Sequence, residues 1–267
     1  MYILLIKYFY LFFIGASLGS FYKTLYDRIL YFFYSPARKQ YSLKEKYKKL
    51  FLKPSFCYNC NNKIPYKYLI PVFGFFITGR KCYHCQFPLS LHYFLWEISG
   101  GLLLCYFYYF YDIFGFLYVL IIFHFLISGL IDFKKFFLDY ENIIFIYIWG
   151  FLINHINSYN NLYDLLLKTG LFIFIFLLLF IIGKGKKFGF GDIILIGAIS
   201  ITFNIPEILI IINIGALGSI FYIFFYKKNR NAYAPLGFFL SLASIVILVL
   251  KPLDIFEFFS NIFYFNL

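Results

Sequence analysis

The chain has 267 residues, of which 63% are hydrophobic and 26% aromatic, and its mean hydropathy is +0.80. A water-soluble domain is about half apolar, so this composition excludes a soluble globule, because too few polar residues remain to cover it. The net charge of +12 would suit nucleic acid, but so many apolar stretches predict membrane lipid as the partner and no nucleic acid.

Apolar stretches recur along the chain at lengths that suit membrane-spanning helices. About 20 apolar residues cross the hydrocarbon core as a helix, and irregular backbone cannot face lipid. We therefore predict an all-α, polytopic membrane helix bundle of about eight spans. The spans are roughly 3–23, 91–111, 114–132, 140–158, 165–183, 191–205, 206–226 and 234–250. The tail 253–267 is apolar again, and is an interfacial helix or part of a ninth span.

Basic residues fall mainly in alternate connections between these spans. They occupy the segment 35–90, Lys134 and Lys135, the run 183–187, and Lys227, Lys228 and Arg230. Only Lys7, Lys168 and Lys251 lie on the other side, which leaves 21 of the 24 basic residues on one face. The positive-inside rule assigns that face to the cytosol.

The segment 35–90, here called the cysteine loop, carries two CxxC pairs separated by 21 residues, Cys57 with Cys60 and Cys82 with Cys85. Each pair aims two thiolates at one point, and two pairs complete the tetrahedron of a structural zinc site. Disulfides or free buried cysteines are the alternatives, but thiols stay reduced in the cytosol. The pattern therefore predicts a zinc-stapled loop.

Two further residues of this kind have simpler interpretations. His84 lies inside the second pair and is a competing ligand, although we expect it to be solvated. Cys105 lies in an apolar stretch and is interpreted as an inert small residue.

Two aspartates fall at the predicted cytosolic ends of spans, Asp132 and Asp192. Ionisable groups at membrane depth are costly, which makes them functional candidates. Two adjacent carboxylates share a proton, so the pair can activate a water as base and protonate a leaving amine as acid. Gly189 and Gly191 let backbone approach closely beside Asp192. Aspartates at helix ends are also common as simple caps, which is the structural alternative.

The other acidic residues have competing interpretations. Asp139 and Glu141 are alternative functional carboxylates, and Glu97 is either a buried hydrogen-bonding group or a catalytic one. For Asp27 we expect a local ion pair with Lys23 or Arg28. We expect five acids in or near outer loops to be solvated: Asp112, Asp164, Glu207, Asp254 and Glu257.

Taken together, these motifs resemble the type IV prepilin peptidases, a family of polytopic aspartic leader peptidases. ASLGSFYKTLYDRIL is similar to the family's GSF motif, and the cysteine loop with the trailing Glu97 is similar in order and spacing. LIDFKKFFLD and GFGD resemble the segments whose catalytic aspartates correspond to Asp132 and Asp192. APLGFFL resembles a PFGP-like segment and keeps Pro235 and Gly237.

The resemblance implies an activity, a substrate and a location. The enzyme would remove the short basic leader of type IV prepilins or pseudopilins after a glycine at the cytosolic boundary of the bacterial inner membrane. Many relatives with the cysteine loop also methylate the new N-terminus with S-adenosylmethionine. The expected divisions are the first helix (1–34), the zinc loop (35–90), the peptidase core (91–252) and the tail (253–267).

The chain also departs from the family pattern at Lys23, Asp139 and Ile194, where the family usually has asparagine, proline and lysine. No catalytic carboxylate is lost, but substrate preference and local geometry are affected. Two alternatives therefore stay open: an inactive relative that acts as an assembly subunit, and a proton-coupled transporter.

Overall fold

The computed structural model describes residues 2–57, 59–156, 161–185, 189–227 and 234–253. Every regular element within these ranges is helical and none is a strand, so the all-α class is confirmed. The chain divides into two compact units, Met1–Val119 and Leu120–Leu267.

The first unit is built on two long helices, α1 (Tyr2–Tyr34) and α4 (Leu91–Tyr111), with α2 (Leu43–Leu52) and α3 (Phe73–Ile77) between them in the chain. Small residues line the contact between α1 and α4. A Cβ added at Gly19 would collide with the carbonyl of Trp96, and one at Gly15 with the carbonyl of Gly100. The two backbones therefore touch, as small residues allow in membrane helices.

The second unit contains most of α5 (Gly115–Lys135), followed by α6 (Tyr140–Ile156), α7 (Leu162–Ile182), α8 (Phe190–Thr202), α9 (Ile205–Tyr222) and α10 (Leu236–Leu250). Helix α8 lies among its neighbours, and most of its residues are buried. Gly197 packs under Tyr147 of α6 and Ile173 of α7, and Gly150 of α6 packs against Thr202. This enclosure positions the start of α8, where Asp192 lies.

Among the described residues, five helical stretches are long and apolar enough to cross a membrane: Tyr2–Tyr34, Leu91–Lys135, Leu162–Ile182, Ile205–Tyr226 and Leu236–Leu253. The chain is therefore a membrane protein. Helices occupy most of the described part of each of the eight predicted stretches, but the count of eight spans is not confirmed. Four of the counted cations, Lys186, Lys187, Lys228 and Arg230, and the tail after Leu253 lie outside the described residues.

The ends of α7, α9 and α10 meet in a buried group of charges. Glu207 is 7% exposed and pairs with Lys251 at 3.0 Å, while Lys168 donates to the carbonyl of Phe203 at 2.8 Å. The expected solvation of Glu207 is therefore wrong, because a buried cation compensates its charge. Of the other four acids, Asp112 and Asp164 are exposed as expected, and Asp254 and Glu257 lie outside the described residues.

Candidate functional site

Asp132 lies in the last turn of α5 and is 6% exposed. Its Oδ2 accepts a hydrogen bond of 3.0 Å from the backbone N–H of Phe238, in the first turn of α10. A Cβ added at Gly237 would lie 3.0 Å from the same oxygen, so a glycine there lets the start of α10 approach the carboxylate. Asp132 thus lies at the positive end of a helix dipole, which favours a negative charge.

Asp192 occupies the third position of α8 and is 8% exposed. Its Oδ2 accepts a hydrogen bond of 2.9 Å from the backbone N–H of Gly189, the N-cap residue. The capping role that the sequence left open is therefore present at Asp192. A capping carboxylate still has lone pairs for another partner, so this contact leaves room for chemistry.

Leu138, in the turn between α5 and α6, lies against the starts of α8 and α10, which carry Gly191 and Gly237. A Cβ at Gly191 would lie 3.1 Å from Leu138 Cβ, and one at Gly237 would lie 3.1 Å from Leu138 Cδ1. The starts of α8 and α10 therefore both approach the end of α5. Asp192 is near enough for its charge to act on Asp132. The helix start that carries Asp192 and the helix start that binds Asp132 therefore both lie against Leu138.

A buried polar network lies one to two turns before Asp132 on α5. Asn142 of α6 donates to Ser128 Oγ at 2.6 Å and to the carbonyl of His124 at 2.8 Å, and its Oδ1 contacts His124 Nδ1 at 2.7 Å. His124, Ser128 and Asp132 recur every four residues and so share one face of α5. Sequence reasoning missed this network, although that spacing was a signal for it.

The alternative carboxylates Asp139 and Glu141 lie where α6 begins. Asp139 is 5% exposed, and its carbonyl accepts the N–H of Ile143 at 3.1 Å in the first turn of the helix. Burial, together with the neighbouring Glu141, raises the pKa of Asp139 to about 7. Glu141 is exposed. Asp139 therefore holds a proton readily near neutral pH.

The four cysteines of the cysteine loop converge in the first unit. Cys57 Sγ lies 3.8 Å from Cys85 Sγ, Cys60 Sγ lies 4.0 Å from Cys82 Sγ, and all four sulfurs lie within 4.8 Å of one another. Tetrahedral Zn²⁺ with Zn–S bonds of about 2.3 Å needs sulfurs about 3.8 Å apart. The set therefore fits a metal ion such as zinc, and these distances are far above the roughly 2 Å of a disulfide.

The two CxxC turns have matching backbones. Asn61 N donates to the carbonyl of Cys57 at 2.8 Å, and Gln86 N donates to that of Cys82 at 3.0 Å. Asn61 and Gln86 both adopt positive φ, 57° and 56°. Hydrogen bonds from the backbone of Phe87 and the side chain of Asn59 lower the pKa of the Cys85 thiol to about 6, which favours the thiolate that binds metal. His84 is exposed and lies outside the cluster.

Glu97 is a hydrogen-bonding group in the first unit. Ser20 Oγ donates to its Oε1 at 2.8 Å, and the backbone N–H of Val72 donates to its Oε2 at 2.7 Å. Glu97 also lines a cavity of about 250 Å³ together with Arg28 and Tyr93. Of the two roles that the sequence left open, the hydrogen-bonding one is therefore present, at a half-buried position.

The departures at Lys23 and Ile194 have partners of their own. Lys23 Nζ lies 2.5 Å from Asp27 Oδ2, which is the local ion pair expected for Asp27. The carbonyl of Ile194 accepts a hydrogen bond of 2.9 Å from the hydroxyl of Tyr147. The Lys23 departure thus forms a side-chain ion pair, whereas the contact at Ile194 involves only its backbone.

A comparison with known protein families found a match for most of the first unit. Residues 13–111 match the family model of the bacterial peptidase A24 N-terminal domain. This stretch of the chain is therefore similar to that domain. The match confirms the resemblance to the type IV prepilin peptidases, and supports a protease acting at the bacterial inner membrane. It includes the cysteine loop and Glu97 and ends before Asp132. No curated protein and no solved structure matches the chain.

Proposed function

We propose that this A24-type protein is an intramembrane aspartic endopeptidase that removes the short basic leader of type IV prepilins or pseudopilins after a glycine. The observation that supports the proposal is that the starts of α8 and α10, beside Asp192 and Asp132, both approach Leu138. Both carboxylates are buried, and each belongs to a different helix end. A substrate held there would meet two carboxyl groups at once.

The proposed chemistry needs only this pair and a water. One carboxylate takes a proton from the water, which attacks the peptide carbonyl, and the other protonates the leaving amine. The roles of base and acid belong to the pair as a unit, because a coupled pair titrates together. The Phe238 N–H holds Asp132 and the Gly189 N–H holds Asp192, so both groups are oriented before substrate arrives.

The proposal assigns zinc a structural role in the cysteine loop. Cys57, Cys60, Cys82 and Cys85 would hold Zn²⁺ and keep the two CxxC turns together, since the loop is too small for a core of its own. The zinc would not take part in peptide cleavage. Eight spans, with the cysteine loop and both aspartates facing the cytosol, complete the proposed arrangement, supported by the distribution of basic residues.

The decisive experiment is cleavage of a synthetic prepilin-like peptide in liposomes by wild type, Asp132→Asn and Asp192→Asn. We expect each variant to lose about 10²–10⁴-fold in rate, since each removes one member of an acid–base pair. Asp164→Asn is the matched control, because Asp164 is exposed at the start of α7. Wild-type rates in both test variants would move the site to Asp139 and Glu141.

The same experiment separates the peptidase from its alternatives. If wild-type protein with full metal content cuts no such peptide, the proposal fails and an inactive assembly subunit or a proton-coupled transporter takes its place. Dissipation of a pH gradient imposed across the liposome membrane, if it is lost in Asp132→Asn, would favour the transporter.

Methyl transfer from S-adenosylmethionine is a second candidate activity, favoured by the cavity in the first unit. That cavity is lined by the carboxylate of Glu97, the guanidinium of Arg28 and aromatic rings such as Phe75, which suits a partly apolar ligand that carries charges of both signs. Mass spectrometry of the cleaved peptide, with and without S-adenosylmethionine, tests it. An unmethylated product in both cases would refute this activity and leave the peptidase proposal intact.

A further inference from the structure

One segment of the cysteine loop differs sharply in composition from the rest. Residues 69–77 read LIPVFGFFI and contain no charged side chain, while Lys67 precedes them and Arg80 and Lys81 follow. The segment holds a tight turn and the short helix α3. A polar loop has no need of nine consecutive apolar or small residues, so the segment calls for a separate explanation.

The depth of this segment is set by a contact with α1. The ring of Phe73 stacks on the ring of Phe13 with centroids 5.7 Å apart and planes 13° apart. Between Lys7 and Lys23, α1 has no charged residue, and Phe13 precedes Lys23 by ten residues. At 1.5 Å per residue, Phe13 lies about 15 Å along the helix from Lys23, within the hydrocarbon core. Phe73 therefore lies at the same depth.

Contacts with α4 place the rest of the segment near the start of that span. Phe75 and Phe76 contact the ring of Phe94 with centroids 5.1 Å and 5.2 Å apart. Val72 reaches Glu97, in the second turn of α4. The segment thus runs alongside both long helices of the first unit.

At positions 71–74 of the turn each N–H has an acceptor, as the bilayer requires of non-helical chain. Pro71 has no N–H, and the N–H of Val72 donates to Glu97 Oε2 at 2.7 Å. Phe73 N donates to the Pro71 carbonyl and Gly74 N to the Ile70 carbonyl, both at 2.7 Å.

Val72 adopts an unusual backbone conformation to make this turn. Its φ of 68° and ψ of −55° are those of a γ-turn, which is strained for a β-branched residue. Gly74 follows because a Cβ there would collide with the carbonyl of Tyr68. Strain that is held in place by a half-buried carboxylate indicates a turn that must reverse the chain within a confined space.

The outer side of the segment is apolar and open. Ile70, Phe73, Phe76 and Ile77 are 46%, 49%, 56% and 59% exposed. Because Phe73 is level with the uncharged part of α1, the medium at that depth is acyl chain rather than water. The flanking Lys67, Arg80 and Lys81 suit the headgroup region above it.

We propose that residues 69–77 form a re-entrant segment that enters the bilayer beside α1 and α4 and takes lipid acyl chains as its partner. The cysteine loop is then anchored at two levels, by its metal site outside the membrane and by this segment within it. Glu97 acts as the acceptor that makes the reversal of the chain at Val72 tolerable in lipid.

The first test uses the unmodified chain in liposomes containing a phosphatidylcholine with a diazirine at the end of its acyl chain. After irradiation, mass spectrometry maps the adducts. We expect residues 70–77 to carry several-fold more adducts than residues 82–87, which hold the similarly exposed Tyr83 and Phe87. Equal labelling of the two segments, or no adducts at 70–77 when α1 is labelled, would overturn the proposal.

A second test reports depth by fluorescence. Phe73→Trp is compared with Tyr83→Trp, in chains whose Trp96 and Trp149 are replaced by Phe. We expect lipids brominated on the acyl chain to quench the first, and aqueous iodide to quench the second. Iodide quenching of equal strength at both positions would show that residues 69–77 lie in water.

Discussion

Asp139→Asn tests the buried carboxyl at the start of α6. The pKa of Asp139 is raised to about 7 from an ordinary value of 3.8, because of burial and the nearby Glu141. Between these two values the folded protein keeps a proton that the unfolded chain has lost. The free energy of unfolding therefore falls as pH rises through this window, and the full loss is reached above about pH 7.

The magnitude follows from the same two values. A difference of this size corresponds to roughly 4 kcal/mol at 1.36 kcal/mol per pH unit, as an upper value for one group. Asparagine has the shape of the protonated acid, is neutral at every pH and serves well as a helix N-cap. Asp139→Asn should therefore match wild type near pH 4 and be the more stable protein at pH 8.

Thermal unfolding in detergent at pH 5, 6.5 and 8 provides the measurement, with Asp164→Asn as the exposed control. Wild type and control should lose stability with rising pH, while Asp139→Asn should lose less. Parallel pH profiles for all three proteins would refute the reasoning. The variant should also keep its cleavage activity, and a loss of cleavage without a loss of fold would instead favour Asp139 as the catalytic carboxylate.

Two further predictions concern the metal site and the network behind Asp132. Cys57→Ser should lower bound zinc from one ion per chain to almost none. It should also make the cysteine loop sensitive to limited proteolysis, because metal binding supplies folding energy. Full activity without zinc would contradict the structural role. Asn142→Leu should lower kcat about tenfold with KM nearly unchanged. The reason is that it removes the hydrogen bonds that hold α5 just before Asp132. Asn154→Leu, at the other end of α6, loses only a 3.1 Å hydrogen bond to Ile201. It should cost stability alone, and equal kcat losses would refute a positioning role for Asn142.

Local patterns in the sequence were sufficient to predict the helices and the cysteine cluster. A run of apolar residues of the right length demands a helix in lipid, so α5 and α7 could be placed within a few residues. The paired CxxC turns predict their own meeting point, because metal geometry requires it. The sequence also placed Asp132 and Asp192 at helix ends.

Such local patterns could not predict contacts between turns that are distant in the sequence. Nothing in the segment around Leu138 indicates that it lies against Gly191 and Gly237, since each contact depends on how whole helices pack. The burial of Glu207 was missed for the same reason, because its partner Lys251 is 44 residues away. The role of Glu97 toward Val72 likewise needed the path of the loop.

The short length of α8 has a consequence for how the protein responds to its lipid. With 13 residues, α8 is about 20 Å long, well below the roughly 30 Å of a bilayer core. A lipid-facing helix of that length would suffer hydrophobic mismatch, but α8 is enclosed by α6 and α7. A change of membrane thickness therefore acts on the outer helices, and the position of Asp192 is insulated from it by a surrounding layer of protein.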